Sequence, residues 1–177
     1  MAELVTAHTS ALAPQTLHGI RELLEDAFDG DITEHDYEHA LGGMHALVWE
    51  GAELIAHGSV VMRRLLHEGR ALRTGYVEGV AVRSAQRRQG HGDSVMTALE
   101  RVIHAAYEIG ALGSSEMGLK FYLARGWQLW SGTASVMTPH GIERTADDED
   151  SIYILPVGAS LNFGRDLTCD WRDGDVW

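Results

Sequence analysis

One loop in the sequence has the residue types and spacing to hold an anion. Arg87, Gly90 and Gly92 form an Arg-x-x-Gly-x-Gly pattern, and Arg88 adds a second positive charge. Glycine lets backbone N–H groups approach a ligand closely, and a following helix adds the positive end of its dipole. The spacing is neither that of a Walker loop nor that of a dinucleotide-binding fingerprint. The pattern predicts a phosphate-binding loop, with a turn of solvated arginines as the alternative.

Acidic side chains are concentrated elsewhere in the chain. The formal net charge is −12, with 26 acidic against 14 basic residues, which argues against a nucleic-acid or anionic-membrane partner. No lysine or arginine occurs between Glu22 and Met62, whereas most basic residues fall between Arg63 and Arg101. Further acids cluster at 147–150 and in the tail. One region therefore suits an anionic ligand and others a cationic one, unless the acids only form solvated surfaces.

Size and composition indicate one domain over residues 1–177. The 177 residues are 45% hydrophobic, enough for a sizeable core, and no apolar run approaches the roughly 20 residues that would span a bilayer. The amino terminus lacks a basic segment followed by an apolar one, so we expect a cytoplasmic protein. Cys169, the single cysteine, is expected to be a small buried side chain. His35, His39 and His45 lack convincing ligand spacing, so no metal is expected.

The order of predicted elements is mixed α/β. Apolar spacing predicts a helix over 14–28, and Thr33 to Asp36 read as a capping box for a second helix through Leu41. Strands at 45–49, 54–66 and 70–82 have connections too short for crossovers and should form an antiparallel meander. The remaining predicted elements are a helix at 93–108 ended by Gly110, a strand at 112–115, a helix at 117–124, strands at 127–130, 135–138 and 152–157, and a tail that packs through Trp171 and Trp177.

This order resembles a known superfamily. With Arg87-Arg88-Gln89-Gly90-His91-Gly92 after a valine-rich strand, the chain resembles the GNAT acetyl-CoA-dependent N-acetyltransferases. The resemblance implies a single-domain α/β (α+β) fold with a mixed central sheet, an antiparallel N-terminal meander and flanking helices. It also implies acetyl-CoA as the cofactor, without a metal. A homodimer is expected because proteins of this superfamily often pair through sheet edges.

A narrower resemblance covers essentially the whole chain. Segments 41–46, 75–82, 122–127 and 169–177 are similar, in the same order, to the aminoglycoside 2′-N-acetyltransferases. The terminal Cys-Asp-x-Arg-x-Gly-Asp-x-Trp is the most specific of them. The resemblance implies a resistance enzyme that transfers acetyl from acetyl-CoA to the 2′-amine of a cationic aminoglycoside. Transfer would be direct, in a ternary complex without a covalent enzyme intermediate.

The same resemblance implies roles for individual residues. Glu78 falls where the family has a carboxylate that deprotonates the amine through water, and Tyr122 falls where it has a tyrosine near the leaving sulfur. The implied cofactor-binding residues are Val80, Ala81 and Val82 on the strand and Arg87, Arg88, Gln89, Gly90, His91, Gly92 and Asp93 in the loop. The implied substrate-binding residues are Asp31, Asp36, Glu78, Gly79, Asp148, Asp175 and Trp177, the last through its terminal carboxylate.

The residue types also suit this chemistry on physical grounds. An amine is nucleophilic only when neutral, and a sugar ammonium is mostly protonated at pH 7, so the site must accept a proton. Glu78 is the natural acceptor, with a surface carboxylate as the alternative. Gly79 inside a strand predicts a bulge, at which a backbone N–H of Gly79 or Val80 would stabilise the developing oxyanion. For Tyr122 the alternative is a half-buried core aromatic.

Part of the sequence departs from the family's pattern and leaves the substrate open. Residues 113–120 carry Glu116 and Lys120, and a lysine near the cleft would suit a substrate with an acidic arm, such as kasugamycin. Two other functions fit the sequence. One is a GNAT enzyme that acetylates another polyamine or an amino sugar, and the other is a non-catalytic acyl-CoA-binding sensor. Turnover of acetyl-CoA with aminoglycosides separates the three.

Overall fold

The chain forms two compact units in the computed structural model, which describes residues 1–114 and 118–177. Residues 1–61 and 77–102 form the first unit, and residues 62–76 and 103–177 form the second. Helices and strands are interspersed along the chain, so the predicted mixed α/β class is confirmed. In the described part of the chain, no helix is both long and apolar enough to cross a membrane.

The helices of the first unit begin where the sequence predicts. Helix α1 spans Pro14–Ala27, with proline in the first turn, where a missing N–H costs nothing. Helix α2 spans Glu34–His39 and begins with the predicted capping box, because the side chains of Thr33 and Asp36 each accept the other residue's backbone N–H. The buried cluster of this unit consists of Ile20, Leu23, Leu24, Leu47, Leu54 and Ala81.

The sheet of the first unit contains one strand that the sequence did not predict. Strand β2 (Met44–Glu50) pairs antiparallel with the first part of β3 (Glu53–His67), as the meander predicts. On its other side β2 pairs with β1 (Ala2–His8), from Ala2 opposite Glu50 to His8 opposite Met44. Strand β1 is almost entirely exposed, so it lacks the alternation of apolar and polar residues that identifies a half-buried strand.

A tight hairpin joins β3 to β4 (Arg70–Val82), whose predicted bounds are confirmed. Glu68 and Gly69 both have positive φ, 46° and 77°, as in the two-residue turn that matches the twist of antiparallel strands. Strand β4 continues from the second unit into the first. Helix α3 spans His91–Ala106 and likewise passes from the first unit into the second.

The prediction that Gly110 ends helix α3 is wrong. The helix ends at Ala106, and Gly110 lies inside β5 (Ile109–Gly113), which pairs parallel with β4 through Gly75 opposite Gly110. The predicted strand at 112–115 therefore begins three residues too late. Its last residue, Ser115, and the predicted helix start at Met117 lie outside the described residues, and helix α4 is described over Leu119–Ala124.

The rest of the second unit completes a mixed sheet. Strand β9 (Ile152–Pro156) pairs antiparallel with β5 and with β6 (Gln128–Leu129). Strand β10 (Leu167–Asp170) pairs parallel with β7 (Ala134–Thr138) and antiparallel with the end of β3. The predicted strand at 127–130 is shorter in the structure, and β8 (Gly141–Arg144) and β10 were not predicted.

Candidate active site

Glu78 lies on β4 of the first unit, next to a break in regular strand geometry. Its side chain is partly buried, and the following residue, Gly79, has a φ of +57°. This left-handed conformation is strained for any residue with a Cβ, which explains the glycine and agrees with the bulge that it predicts. The strand therefore presents Glu78 and the peptide after Gly79 from a locally distorted backbone.

One of two buried, hydrogen-bonded histidines contacts this distorted backbone, and the sequence does not assign either of them a role there. The Nδ1 of His57 lies 2.8 Å from the carbonyl oxygen of Gly79, and its Nε2 lies 2.9 Å from the Nδ1 of His45. Both side chains are fully buried. Burial lowers the pKa of His45 to about 4 and that of His57 to about 3, so both rings are neutral at pH 7.

The predicted anion-binding loop lies in the first unit between β4 and α3. Residues Arg87 to Gly90 are exposed, and Arg88 and Gly90 have positive φ values of 62° and 84°. The first N–H groups of any α-helix have no partner within the helix by its geometry, so a helix that begins at His91 suits an anion. The loop is thus compatible with a phosphate group.

Arg87 has partners within the protein. Its Nη2 donates a hydrogen bond of 2.9 Å to the carbonyl of Ala27 at the end of α1, and its Nε donates a longer one, 3.4 Å, to the carbonyl of Val82. In this conformation Arg87 ties the loop to helix α1. Arg88 is the second exposed positive charge of the loop.

The two early aspartates differ in their surroundings. Asp31 is exposed between α1 and α2, whereas Asp36 accepts two hydrogen bonds through Oδ2, 2.7 Å from the N–H and 2.8 Å from the hydroxyl of Thr33. The carboxylate of Asp36 is therefore already used to begin helix α2. A further contact fixes this helix, because the guanidinium of Arg21 forms paired hydrogen bonds of 2.7 and 2.6 Å with Glu34.

Tyr122 lies in an aromatic cluster of the second unit. It is 8% exposed on α4, and its ring packs against Phe121, Trp127 and Tyr153, with centroid distances of 5.1, 6.2 and 5.7 Å. Burial raises the pKa of Tyr122 to about 12, with the neighbouring Tyr153 as a smaller cause. The phenol is therefore protonated throughout the neutral and mildly alkaline range.

The C-terminal segment, residues 171–177, is fixed to the second unit by Trp177. This residue is 4% exposed, so the prediction that the tail packs on the body is confirmed for it, whereas Trp171 is 48% exposed. The indole Nε1 of Trp177 donates a hydrogen bond of 2.8 Å to the hydroxyl of Thr145. A Cβ placed on Gly113 would lie 3.4 Å from the carbonyl carbon of Trp177, which is van der Waals contact, so Gly113 lies directly against this segment.

Two of the predicted substrate-binding carboxylates belong to the same part of the second unit. Desolvation raises the pKa of Asp148, and the negative charge of Asp175 raises it further. A hydrogen bond from Thr145 partly offsets both effects. Asp175 itself accepts the backbone N–H of Trp177 at 3.1 Å. Thr145 thus contacts both Asp148 and Trp177, and two like charges are held close enough to affect each other.

Two arginines hold this segment in place. Buried Arg63 donates through Nε to the carboxylate of Asp170, 2.8 Å away, and through Nη2 to its carbonyl oxygen at 2.9 Å. Arg172 donates to the carbonyl of Asp175 at 2.7 Å and to the backbone oxygen of Trp177 at 3.0 Å. These charge-assisted hydrogen bonds fix Asp170, just before the segment, and the backbone of Asp175 and Trp177 at its end.

A metal site is not formed by the residues that can be described. Among residues 1–114 and 118–177, no three His, Cys, Asp or Glu side chains converge in a way that could hold a metal ion. Cys169 is buried and free, and burial raises the pKa of its thiol to about 11, so it is a poor nucleophile.

Comparisons with known proteins decide the family. Residues 8–130 match the family described as an acetyltransferase (GNAT) domain. The chain is also 49% identical, over 174 residues, to an aminoglycoside 2′-N-acetyltransferase of Mycolicibacterium fortuitum, a match that covers 96% of this chain and 89% of the relative. The chain belongs to the GNAT acetyltransferases, in the aminoglycoside 2′-N-acetyltransferase family.

Solved structures show the same fold. An acyl-CoA N-acyltransferase from Pseudomonas aeruginosa is similar with a TM-score of 0.63 and 16% identity, covering 88% of this chain and 99% of the other. A GNAT acetyltransferase from Brucella melitensis, solved in complex with acetyl-CoA, has a TM-score of 0.61 and 16% identity, covering 92% and 93%. The predicted GNAT fold, with its mixed sheet and flanking helices, is confirmed for this acetyltransferase.

The structure of this acetyltransferase groups the predicted site residues in two sets. In the first unit Glu78, Gly79 and residues 80–82 share strand β4 and lead into the loop at 87–93. In the second unit Asp148, Asp175 and Trp177 lie together. Prediction from sequence missed the anchoring residues His57, Arg63 and Arg172. The signal for His57 was a histidine within the apolar run of β3.

Proposed function

We propose that this protein transfers an acetyl group from acetyl-CoA to the 2′-amine of an aminoglycoside antibiotic. The observation that carries the proposal is the held pair of carboxylates, Asp148 and Asp175, beside buried Trp177. Such pre-positioned anions bind a polycation at low cost in reorganisation. The 49% identity to an aminoglycoside 2′-N-acetyltransferase supports the same substrate class.

The donor substrate suits the first unit. Acetyl-CoA carries a pyrophosphate, and the loop from Arg87 to Asp93 offers backbone N–H groups, a helix start and exposed Arg88. We assign the backbone of Val80 to Val82 to the pantetheine arm, which carries amides that can pair with a strand. Acetyl-CoA supplies the activated acetyl group, and the loop positions it.

Glu78 is assigned as the general base. The acceptor amine must lose a proton before or during attack on the thioester, and a partly buried carboxylate on β4 can take it directly or through water. The carbonyl oxygen of the acetyl group gains negative charge as the amine attacks. A backbone N–H at the Gly79 distortion would stabilise that charge.

Tyr122 is assigned to the leaving sulfur. With a pKa near 12, its hydroxyl stays protonated, and a thiol of ordinary pKa, about 8.5, is the stronger acid. These two pKa values favour a hydrogen bond from the phenol of Tyr122 to the leaving thiolate over complete transfer of the proton to it. Replacement of Tyr122 with Phe should lower kcat and leave the KM for acetyl-CoA nearly unchanged, and equal kcat values would remove Tyr122 from this role.

The remaining acidic residues are assigned to the substrate's other ammonium groups. Asp148 and Asp175 would bind at the C-terminal segment, with exposed Asp31 as a further contact. Asp36 is the least free of the assigned carboxylates, because it caps α2. Lys120 is exposed on α4, so a substrate with an acidic arm, such as kasugamycin, remains a hypothesis. The thiol-release assay described next tests it.

Thiol release from acetyl-CoA tests the proposed function. The purified protein is mixed with acetyl-CoA and a panel of aminoglycosides, with spermidine and glucosamine as controls for other polyamines and amino sugars. We expect turnover with aminoglycosides that carry a 2′-amine and at least tenfold lower kcat/KM with the controls. Binding of acetyl-CoA without turnover of any aminoglycoside would refute the proposal and favour a sensor.

The setting of the reaction completes the proposal. We place the enzyme in the cytoplasm, where acetyl-CoA is available, and take residues 1–177 as one catalytic domain that acts as a homodimer. Light scattering tests the dimer, since a monomer at assay concentration would contradict it.

A further inference from the structure

A chain of hydrogen bonds crosses the interior of the first unit and ends at the strand that carries Glu78. The hydroxyl of Thr9 lies 2.7 Å from the Nε2 of His45, the Nδ1 of His45 lies 2.9 Å from the Nε2 of His57, and the Nδ1 of His57 lies 2.8 Å from the carbonyl oxygen of Gly79. The two imidazoles are fully buried. None of the roles proposed above uses them.

The carbonyl of Gly79, at one end of this chain of hydrogen bonds, determines which atom donates in each of them. A carbonyl oxygen only accepts, so the Nδ1 of His57 must carry the proton and its Nε2 must be an acceptor. The Nδ1 of His45 then donates to that Nε2, and the Nε2 of His45 accepts the proton of the Thr9 hydroxyl. The Thr9 oxygen accepts the N–H of Gly42 at 2.8 Å, and its hydroxyl also lies 3.2 Å from the carbonyl oxygen of Gly43, a longer contact than the one to His45.

Both rings are held in a single tautomer as a result. All four ring nitrogens have a partner, and a second proton on His57 would place two N–H groups against each other. The lowered pKa values of both histidines agree with neutral rings. The arrangement is therefore a fixed orienting device that does not titrate near neutral pH.

The atom that His57 holds lies in the peptide group next to the reacting groups. The described residues contain no cis peptide bond, so the carbonyl of Gly79 and the N–H of Val80 point in opposite directions within one plane. A hydrogen bond that fixes the direction of the Gly79 carbonyl therefore also fixes that of the Val80 N–H. Gly79, whose carbonyl this bond orients, has a positive φ and follows Glu78 directly.

A second side chain of β3 contacts the same stretch of backbone. The hydroxyl of Ser59 lies 3.5 Å from the carbonyl oxygen of Glu78, a longer and weaker contact than that of His57. His57 and Ser59 are two residues apart and so point to the same face of the strand. The peptide groups on both sides of Gly79 are thus approached from one side, and His57 makes the stronger contact.

We propose that His57 is a positioning residue for acetyl transfer: by donating to the Gly79 carbonyl, it aims the Val80 N–H at the developing oxyanion and holds Glu78 in place. His45 and Thr9 support it by fixing its tautomer. The inference rests on the proposed function and adds to it a residue that contacts neither substrate.

Paired variants separate this role from a merely structural one. His57→Leu removes the donor, whereas His57→Asn can place an amide N–H close to the position of Nδ1. His45→Leu keeps the donor on His57 but removes the hydrogen bond that fixes the tautomer of His57. His67→Leu is the matched control, because His67 is also buried, at 4% exposed, and also contacts a backbone carbonyl, that of Asp166 at 3.0 Å, but it belongs to the second unit.

Steady-state kinetics at pH 7, with folding checked by circular dichroism, gives the first readout. His57→Leu should lower kcat by up to about 10²-fold, the loss for complete removal of one oxyanion donor, with both KM values within about threefold. His57→Asn should recover most of that loss, His45→Leu should show a smaller one, and His67→Leu should keep kcat within about threefold. Equal kcat for wild type and His57→Leu, or equal losses for His57→Leu and His67→Leu, would overturn the inference.

The tautomer of His57 in the wild-type protein gives a second readout that needs no variant to fold or turn over. Two-bond proton–nitrogen correlations of the imidazole rings should show the proton on Nδ1 of His57 and of His45. A proton on Nε2 of His57 would overturn the inference. A wild-type protein that acetylates no aminoglycoside would instead refute the proposed function, and the tautomer would still decide whether His57 holds Gly79.

Discussion

The indole Nε1 of Trp177 donates a 2.8 Å hydrogen bond to the hydroxyl of Thr145. Thr145 also donates to the carboxylate of Asp148, and the backbone N–H of Trp177 donates to Asp175. The two acids that we assign to the substrate are therefore held through a tryptophan and a threonine. Loss of this link should weaken substrate binding without touching the chemistry.

Replacement of Trp177 with Phe tests that link. The variant keeps an aromatic ring but loses the hydrogen bond to Thr145, which is worth about 1 kcal/mol. We expect the KM for aminoglycoside to rise roughly fivefold while the KM for acetyl-CoA stays the same. Removal of residues 175–177 should raise the first KM much further. Trp171→Phe, at an exposed position of the same segment, is the control, and an equal effect there would contradict the assignment.

The pH dependence of aminoglycoside binding should depend on the coupling of Asp148 to Asp175. The pKa of Asp148 is raised, so its charge is lost at a higher pH than that of an ordinary aspartate as the solution is acidified. The KM should therefore begin to rise at that higher pH. In Asp175→Asn, one cause of the raised pKa is gone, and the onset should move to lower pH. Asp150→Asn, at an exposed position, should leave the onset unchanged. An unchanged onset in Asp175→Asn would contradict the coupling of Asp148 to Asp175.

Replacement of Glu78 with Gln tests the general base. The variant keeps the shape of the side chain but cannot accept a proton, so turnover must rely on amine that is already neutral. We expect a loss of about 10²-fold or more at low pH and a smaller loss at high pH, with little change in acetyl-CoA affinity. A pH–rate profile parallel to that of the wild type would remove Glu78 from this role.

The buried histidine pair should make folding sensitive to acid. The pKa values of His45 and His57 lie near 4 and 3 in the folded protein, below the ordinary 6.5. Below pH 6.5 the unfolded chain therefore binds protons at these two histidines, whereas the folded chain does not. The free energy of unfolding should fall as pH drops from 6.5 towards 4, with these two groups contributing up to about 2.7 kcal/mol per pH unit. Urea unfolding of wild type and of the double variant His45→Gln, His57→Asn measures the difference. Parallel pH curves would contradict the account.

Local signals in the sequence were sufficient for several elements. The bounds of β4 and the capping box at Thr33 follow from residues next to each other in the chain, and both are confirmed. Gly110 was read locally as a helix stop, although it lies opposite Gly75 in a parallel strand pair. Strand β10 was missed because it is short and is defined by its neighbours β3 and β7, which lie far away in sequence.

The same distinction applies to the site. Glu78, Tyr122 and Asp175 are predicted site residues because segments of the sequence resemble a family, not because spacing alone requires their roles. The contact of His57 with Gly79 joins positions 22 residues apart, and that of Arg63 with Asp170 joins positions 107 apart. Sequence spacing carries no information on such pairs. Their side-chain types suggest burial or charge, and only the fold shows which backbone they hold.

The position of the acetyl group on the product tests the central claim most directly. Two aminoglycosides that differ only in an amine or a hydroxyl at the 2′ position are incubated with the protein and acetyl-CoA, and the products are analysed by mass spectrometry and NMR. We predict one added acetyl group, on the 2′ nitrogen, and turnover of the amine but not of its hydroxyl counterpart. Equal turnover of both compounds, or an acetyl group on another nitrogen, would contradict the account.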